Sequence, residues 1–450
     1  MKPRDQMVSL SRAAIAFTRA KILLKNAGYE FKSHQVDGVK WMINNELKKT
    51  YKGGLICDDP GLGKTIQTMG IMAANPVRLT LIVLPTSVLN QWIDIVNHVF
   101  GSEQCYVHYT NKRAKTRAEL LMKLSKASVA ITSYALISDA LDKSNHHTIL
   151  HSVKWDRVVF DEGHQLRNHK TLSHRMACDL HATYRWILTG TPIQNRIGDI
   201  ATLIKFIIGM NIKIDIEFVR GFIKERMLRR KMEDVGIMLP SIKITHVDID
   251  CNGTNKSVLK KMTTFPYKHH LESIIRRKQA SVFPQTLNKS FRMNYKLPKI
   301  KVNNEKADYI IDRVIDKNEN CIIFTEFKDE IEYIISQLTE KKETLNIASI
   351  CGDTPLEQRD EISKDKSINV LVIQINTAGV GLNLQHFSTV HFTNIQWNPA
   401  NTDQAIGRIK RIGQENPMEV YIYSVTESID NRIAYISDKK REMITRFLVA

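Results

Sequence analysis

At 450 residues, with 43% hydrophobic and 25% charged side chains, the chain has a globular composition and is too long for one comfortable core; disorder is excluded as the default and two or three domains are expected. A formal net charge of +18 favours polyanionic partners, nucleic acid first among them. Cys57, Cys105, Cys178, Cys251, Cys321 and Cys351 stand far apart and form no C-x-x-C, which argues against a zinc ribbon or a disulfide framework and fits a reduced compartment, nuclear or cytoplasmic.

No apolar run approaches the ~20 residues that span a bilayer, so no membrane partner is expected. Residues 8–25 (VSLSRAAIAFTRAKILLK) are basic, helical in period and free of acids. A transit peptide and a surface helix docked on the first domain share this pattern, and the docked helix, residues 1–25, is the expectation. Phe31, Lys32, His34 and Gln35 then lead through a short turn into a helix holding Trp41 and Met42. The Gln35 carboxamide can pair bidentately with adenine N6 and N7, while Trp41 is expected to pack inside.

The stretch GGLICDDPGLGKTIQT, residues 53–68, joins a buried strand to a glycine-rich turn and a helix start. Gly61 and Gly63 let the backbone wrap phosphate oxygens, and a helix beginning near Lys64 points its N–H groups at the same anion. Asp59, Pro60, Gly61, Leu62, Gly63, Lys64 and Thr65 are therefore the candidate ATP cradle, with Lys64 on the β- and γ-phosphates and the Thr65 hydroxyl on Mg²⁺. Asp58 stands where the strict phosphate-loop pattern has its first glycine.

LTLIVL (79–84) and VAITSYALI (129–137) repeat the strand, loop and helix plan. They bring Thr86, Ser87 and Ser133 to the carboxyl ends of strands, where such groups can donate to nucleic-acid phosphates. WDRVVFDEGH (155–164) ends a central strand on adjacent carboxylates. Asp161 is expected in the Mg²⁺ shell opposite Thr65, and Glu162 is expected to orient and deprotonate the attacking water. WILTGTPIQN (186–195) delivers Thr189 and Thr191 to the same rim, Thr191 as a further nucleic-acid contact that senses the γ-phosphate. Five such runs describe a doubly wound α/β domain over residues 26–210.

Residues 211–305 read as a basic helical insertion or linker. From 306 the alternation resumes through NCIIFTEF, IASICGDT and VLVIQINTAGVGLNL, a second α/β domain over 306–450 without a phosphate loop. Its QAIGRIKRIGQ stretch (404–414) spaces Gln404, Arg408 and Arg411 at i, i+4 and i+7, one helix face. Such guanidinium groups suit reaching a phosphate on an opposing domain.

In this order DDPGLGKT, DEGH, LTGTPIQN, GLNLQ and WNPANTDQAIGRIKRIGQ resemble the motor of superfamily-two helicases, specifically the Swi/Snf-type DNA translocases. The RIGQ ending, the LRRK element and Leu239-Pro240 separate this group from the DEAD-box RNA helicases. The resemblance implies two RecA-like doubly wound parallel-sheet lobes with a helical insertion between them. It also implies ATP and Mg²⁺ as cofactors, Gln35 and Gln404 beside the nucleotide, and Arg408 and Arg411 as fingers. The implied activity is that of a monomeric, ATP-dependent motor on double-stranded DNA, remodelling protein–DNA complexes or serving transcription and chromatin proteins. Such a bare motor resembles those of large DNA viruses. A strand-separating helicase and a transactivator acting as an ATP-gated DNA clamp are the rivals. Ile375, where the family usually has a hydroxyl residue, and Val380, in place of a glycine, depart from the pattern; Asn376 and Thr377 are the candidates to substitute.

Overall fold

Short β-branched and aliphatic runs, apolar on both faces, form strands that must be covered by helices on both sides, the condition under which parallel sheets are stable. The computed structural model describes residues 3–138, 148–209, 213–267, 269–288, 302–378 and 382–449. The chain divides into two units, Met1–Met238 and Leu239–Ala450, each built on one sheet. All pairings of the described strands are parallel.

The first unit holds β1 (Gly53–Ile56), β2 (Thr80–Leu84), β3 (Cys105–His108), β4 (Val129–Ser133), β5 (Trp155–Asp161), β6 (Ala182–Leu188) and β7 (Met227–Leu228). Their order is β3-β4-β2-β5-β6-β1-β7. Pairing of Val83 with Phe160, Asp161 with Leu188 and Ile56 with Leu188 ends β2, β5, β6 and β1 at one level. Everything that follows these strands therefore emerges on one rim, the usual ligand side of an open parallel sheet.

Four helices matter for the site: α1 (Pro3–Asn26), α2 (Ser33–Leu47), α3 (Lys64–Ala74) and α4 (Leu89–Phe100). Ala20 and Leu24 of α1 are buried in one cluster with Val39, Met42, Met69 and Met72, so the N-terminal segment is a helix docked on α2 and α3. At the end of the sheet opposite the rim, Glu46 accepts from Arg157 Nε (2.7 Å) and Nη2 (2.6 Å), Trp186 Nε1 (2.8 Å) and Asn75 Nδ2 (2.6 Å). A buried charge pair satisfied in this way fixes where α2 lies on the sheet; breaking one partner would cost far more than the pair itself contributes.

The second unit holds β8 (Ile242–Ile249), β9 (Cys321–Thr325), β10 (Ile347–Ile350), β11 (Val370–Gln374), β12 (Thr389–Phe392) and β13 (Met418–Val425). They are arranged β10-β11-β9-β12-β13-β8. Phe324, Leu371, Ile373, Val390 and Phe392 are fully buried in its core.

The expected helical insertion over 211–305 is not one body. Its first part stays with the first unit, where the helix Ile216–Arg226 leads into β7, and β7 pairs with β1. Its second part supplies β8, paired with β13 over eight positions, and the helices Gly253–Thr264 and His270–Val282. The apolar residues of IKITHVDI fall out of step between Ile244 and Val247; only its last five residues alternate between inward and exposed, and the strand lies inside an otherwise basic and helical stretch.

Candidate active site

β1 runs into the loop Cys57–Gly63, and α3 starts at Lys64 with Gly63 as its N-cap. Gly61 (φ +90°) and Gly63 (φ +78°) both lie in the left-handed region, and a Cβ on Gly63 would stand 2.3 Å from Gln35 Nε2. Only glycine meets both demands. Lys64 Nζ donates to the carbonyls of Asp58 (2.7 Å) and Asp59 (3.3 Å), so the ammonium is held over the loop where a phosphate would take over from those oxygens.

Asp58 itself is fully buried and explains why the first glycine of the pattern is dispensable here. Its Oδ1 accepts from Arg230 Nε at 3.0 Å, and Oδ2 accepts from Arg230 Nη2 and from Gln67 Nε2 (3.0 Å). Arg230 Nη2 also reaches Gln67 Oε1 (2.9 Å), and Nη1 donates to the His34 carbonyl. One guanidinium just beyond β7 thus braces the phosphate loop, α3 and the start of α2. Of the adjacent basic residues, Arg230 makes an ion pair with Asp58, and Arg229 is exposed.

Gln35 lies against the loop. Its Oε1 accepts from the Lys32 N–H (3.0 Å), and its Nε2 donates to the Leu62 carbonyl (3.3 Å), which His34 Nε2 also contacts at 3.1 Å. Each end of the carboxamide is engaged once by backbone, which orients it and leaves one lone pair and one N–H for a further partner.

Asp161 and Glu162 end β5 beside this loop. Asp161 Oδ1 accepts from the Glu162 N–H (2.9 Å), and Oδ2 accepts from Trp92 Nε1 (2.8 Å) on the first turn of α4. Burial and the neighbouring Glu162 charge raise the Asp161 pKa above the ordinary carboxylate range, and the Trp92 hydrogen bond opposes them. No local pattern around Trp92 marks this contact, because its partner lies 69 residues away. Glu162 adopts φ +48°, ψ +45°, uncommon for a side chain of its size and a mark of a strained functional turn. Its carboxylate stands 3.2 Å from His164 Nδ1, which is 3.3 Å from Thr189 Oγ1. The Thr189 hydroxyl in turn accepts from the Thr191 N–H (3.2 Å), and the Thr191 hydroxyl accepts from Gln194 Nε2 (3.3 Å). A polar chain therefore runs from Glu162 to the TGTPIQN loop.

The rim residues are not equivalent. Thr86 and Ser87 sit in the 3-10 turn Thr86–Val88 after β2, and the Ser87 Oγ is enclosed without a protein hydrogen bond. Ser133 closes β4, is 1% exposed, and its Oγ also lacks a protein partner. Thr191 is half-buried and joins the polar chain just described through its N–H and its hydroxyl.

In the second unit the helix Pro399–Ile406 carries Gln404 and stops there. Gly407 begins a run of turns, so Arg408 and Arg411 do not share a helix face with Gln404 as their spacing predicts. Arg411 Nε donates to the Gly407 carbonyl (2.9 Å), and Arg408 is 7% exposed. The turns are pinned by Leu384 N–H to the Arg408 carbonyl (3.1 Å) and by Gln414 Nε2 to the Phe387 carbonyl (2.9 Å). Ile375 is buried in the apolar core, which accounts for its side chain. Asn376 is exposed, and the Thr377 hydroxyl returns to the Gln374 carbonyl (2.6 Å). Val380 lies outside the described residues.

The donor set fits a nucleotide triphosphate with a hard cation. Two left-handed glycines shape an anion cradle, one ammonium overlies it, and the only oxygen donors expected for the ion are the Thr65 hydroxyl and the Asp161 carboxyl. Among the described residues no group of three or more His, Cys, Asp or Glu could hold a metal by itself. Mg²⁺ typically keeps its waters and is held by one or two protein oxygens plus substrate phosphates.

A parallel sheet with a phosphate loop and paired carboxylates on one rim, followed by a second parallel sheet without such a loop, defines a two-lobed nucleotide-binding α/β protein of the RecA-like class. Residues 34–218 match the family described as "SNF2-related domain", and residues 305–413 match "Helicase conserved C-terminal domain". The chain belongs to the Swi/Snf-type family of helicase superfamily two. It is 26% identical to "ATP-dependent DNA helicase DDM1" of Arabidopsis thaliana, over 90% of this chain and 60% of that protein. It is 25% identical to "Probable global transactivator" of Orgyia pseudotsugata multicapsid polyhedrosis virus, over 92% of this chain and 90% of that protein. A solved structure described as "Sulfolobus solfataricus SWI2/SNF2 ATPase core in complex with dsDNA" aligns over 92% of both chains at 23% identity with a TM-score of 0.42. The chain thus spans nearly all of the viral relative and about three fifths of the plant one.

Proposed function

We propose that this chain is an ATP-driven translocase on double-stranded DNA, acting on protein–DNA complexes or in transcription. The convergence of Lys64, Asp161 and Glu162 on one sheet rim is the observation that carries this reading. On ATP binding, Lys64 leaves the Asp58 and Asp59 carbonyls for phosphate oxygens, and Thr65 and Asp161 would hold the ion. Bound Mg²⁺ would supply neutralisation of phosphate charge. Glu162 orients the attacking water and takes its proton, with His164 beside it to carry the change toward Thr189 and Thr191. Arg408 and Arg411 supply the finger charges in the transition state, and Gln35 and Gln404 line the nucleotide.

Thr86, Ser87 and Ser133 are the proposed phosphate contacts. The hydroxyls of Ser87 and Ser133 have no protein partner, which is unusual for buried polar atoms, but both are enclosed, so a phosphate reaches them only as the rim opens. Phosphate contacts track a backbone without reading or unstacking bases. Among the described residues every strand pairing is parallel, so the sheets offer no antiparallel hairpin as a wedge between DNA strands. The proposed mode is stepping along an intact duplex, by a monomeric motor in the nucleus or cytoplasm. The test is the rate of ATP hydrolysis with no nucleic acid, with single strand and with duplex of equal length. Duplex should stimulate most, and equal rates under all three conditions would refute the reading.

A further inference from the structure

Asp161 is gripped twice, and each grip comes from a segment that continues directly from a candidate nucleic-acid contact. Trp92 follows the Thr86–Val88 turn by one helical turn and donates its indole N–H to Oδ2 at 2.8 Å. Tyr134 follows Ser133 immediately and donates its hydroxyl to the Asp161 carbonyl at 2.7 Å. Trp92 and Tyr134 are both buried, so neither hydrogen bond is diluted by solvent. A buried indole N–H needs an acceptor, but any backbone carbonyl would satisfy it. Here it takes one of the two oxygens of the carboxylate assigned to the ion, while the other receives the Glu162 N–H. The Ser87 and Ser133 hydroxyls, enclosed without protein partners, lie on the same two segments, Ser87 five residues before Trp92 and Ser133 next to Tyr134.

We propose that Trp92, seconded by Tyr134, is a positioning residue that transmits occupancy of the Thr86–Ser87 and Ser133 rim to the Asp161 carboxylate, so that nucleic acid tunes the affinity of the site for its divalent cation. This rests on the reading of that rim as a nucleic-acid contact. The turn and the first turn of α4 form one continuous run of hydrogen-bonded backbone, since the Leu89 N–H returns to the Thr86 carbonyl. A phosphate drawing on Thr86 and Ser87 therefore moves the indole with it. A shift of a few tenths of an ångström at a short, charge-assisted hydrogen bond changes how firmly the Oδ2 lone pairs are held.

The experiment is binding of a fluorescent ATP analogue as Mg²⁺ is titrated, with and without duplex DNA, in the wild-type chain and in Trp92→Phe, which keeps an aromatic ring and removes the N–H. In the wild type, duplex should lower the Mg²⁺ concentration needed for half-saturation. In Trp92→Phe that concentration should rise about tenfold without DNA, the loss expected for a hydrogen bond to a charged group. Duplex, still bound as judged by anisotropy, should no longer shift it. A Trp92→Phe chain that responds to duplex as the wild type does overturns this inference and leaves the translocase reading standing. A wild-type chain that does not bind duplex at all overturns both. Should Trp92→Phe fail to melt cooperatively, Tyr134→Phe and the ¹⁵N indole resonance of Trp92 in the wild type decide the matter. The inference requires that resonance to move when duplex is added, and an unmoved resonance overturns it.

Discussion

Lys64 and Glu162 differ in what their removal takes away. Lys64 is a charge placed over the anion cradle, so Lys64→Ala should abolish turnover and weaken nucleotide binding, with a rate loss of ~10² to 10³ or more. Glu162 is the proposed base for the water, so Glu162→Gln should bind ATP and fail to hydrolyse it; a wild-type rate in Glu162→Gln would remove its assignment as base. Arg230 supports a prediction of a different kind. It is the charge partner of a fully buried carboxylate, and Arg230→Ala leaves Asp58 uncompensated. Such a loss destabilises by about 3 to 5 kcal/mol, whereas truncating the exposed neighbour Arg229 should cost under about 0.5 kcal/mol. Thermal unfolding of the two variants side by side measures the contrast, and equal melting temperatures would show that Asp58 does not depend on Arg230.

Elements made of contiguous sequence were the legible ones. The phosphate loop and the DEGH turn could be read because strand, turn and chemistry follow one another within about a dozen residues. The Asp58–Arg230 brace joins positions 172 residues apart, and the Trp92–Asp161 bond positions 69 apart, so no local pattern announces either. β8 carries no unbroken period-two signal and is followed by basic helices, so it was hidden, while Gly407 ended a helix that the i, i+4, i+7 spacing extended to Arg411. The helix Lys328–Lys341 holds one more feature hidden from sequence. Glu330 Oε2 accepts the Glu326 (3.0 Å) and Phe327 (3.3 Å) N–H groups at the helix start, and burial pushes its pKa from 4.5 up to about 7. The folded chain then binds a proton that the unfolded chain has released between these values. This contribution therefore favours folding at low pH and is lost as pH rises through about 7. Glu330→Gln keeps an acceptor for both N–H groups, so it should gain stability over the wild type at pH 8, by up to about 3 kcal/mol, and flatten the dependence between pH 5 and 8. Chemical denaturation across that range checks it, and parallel curves for the two proteins would show that Glu330 ionises normally.

On the scale of the whole molecule, the candidate site residues fall on two parallel sheets. The first carries the phosphate loop and carboxylates, and the second carries Arg408 and Arg411 on turns pinned to the GLNLQ loop. If these arginines act on a phosphate held by the first unit, they are felt only as charge develops in the transition state. Arg411→Ala should then lower kcat strongly with little change in ATP affinity, and weaker ATP binding at unchanged kcat would refute the finger role. The basic surface should make DNA-stimulated hydrolysis fall as salt rises, through restored counterions. Translocation along an intact duplex is tested most directly by displacement of the third strand from a DNA triplex in the presence of ATP. The prediction is ATP-dependent release of the third strand with the underlying duplex intact; no release, together with ATP-dependent separation of a forked duplex, would contradict it.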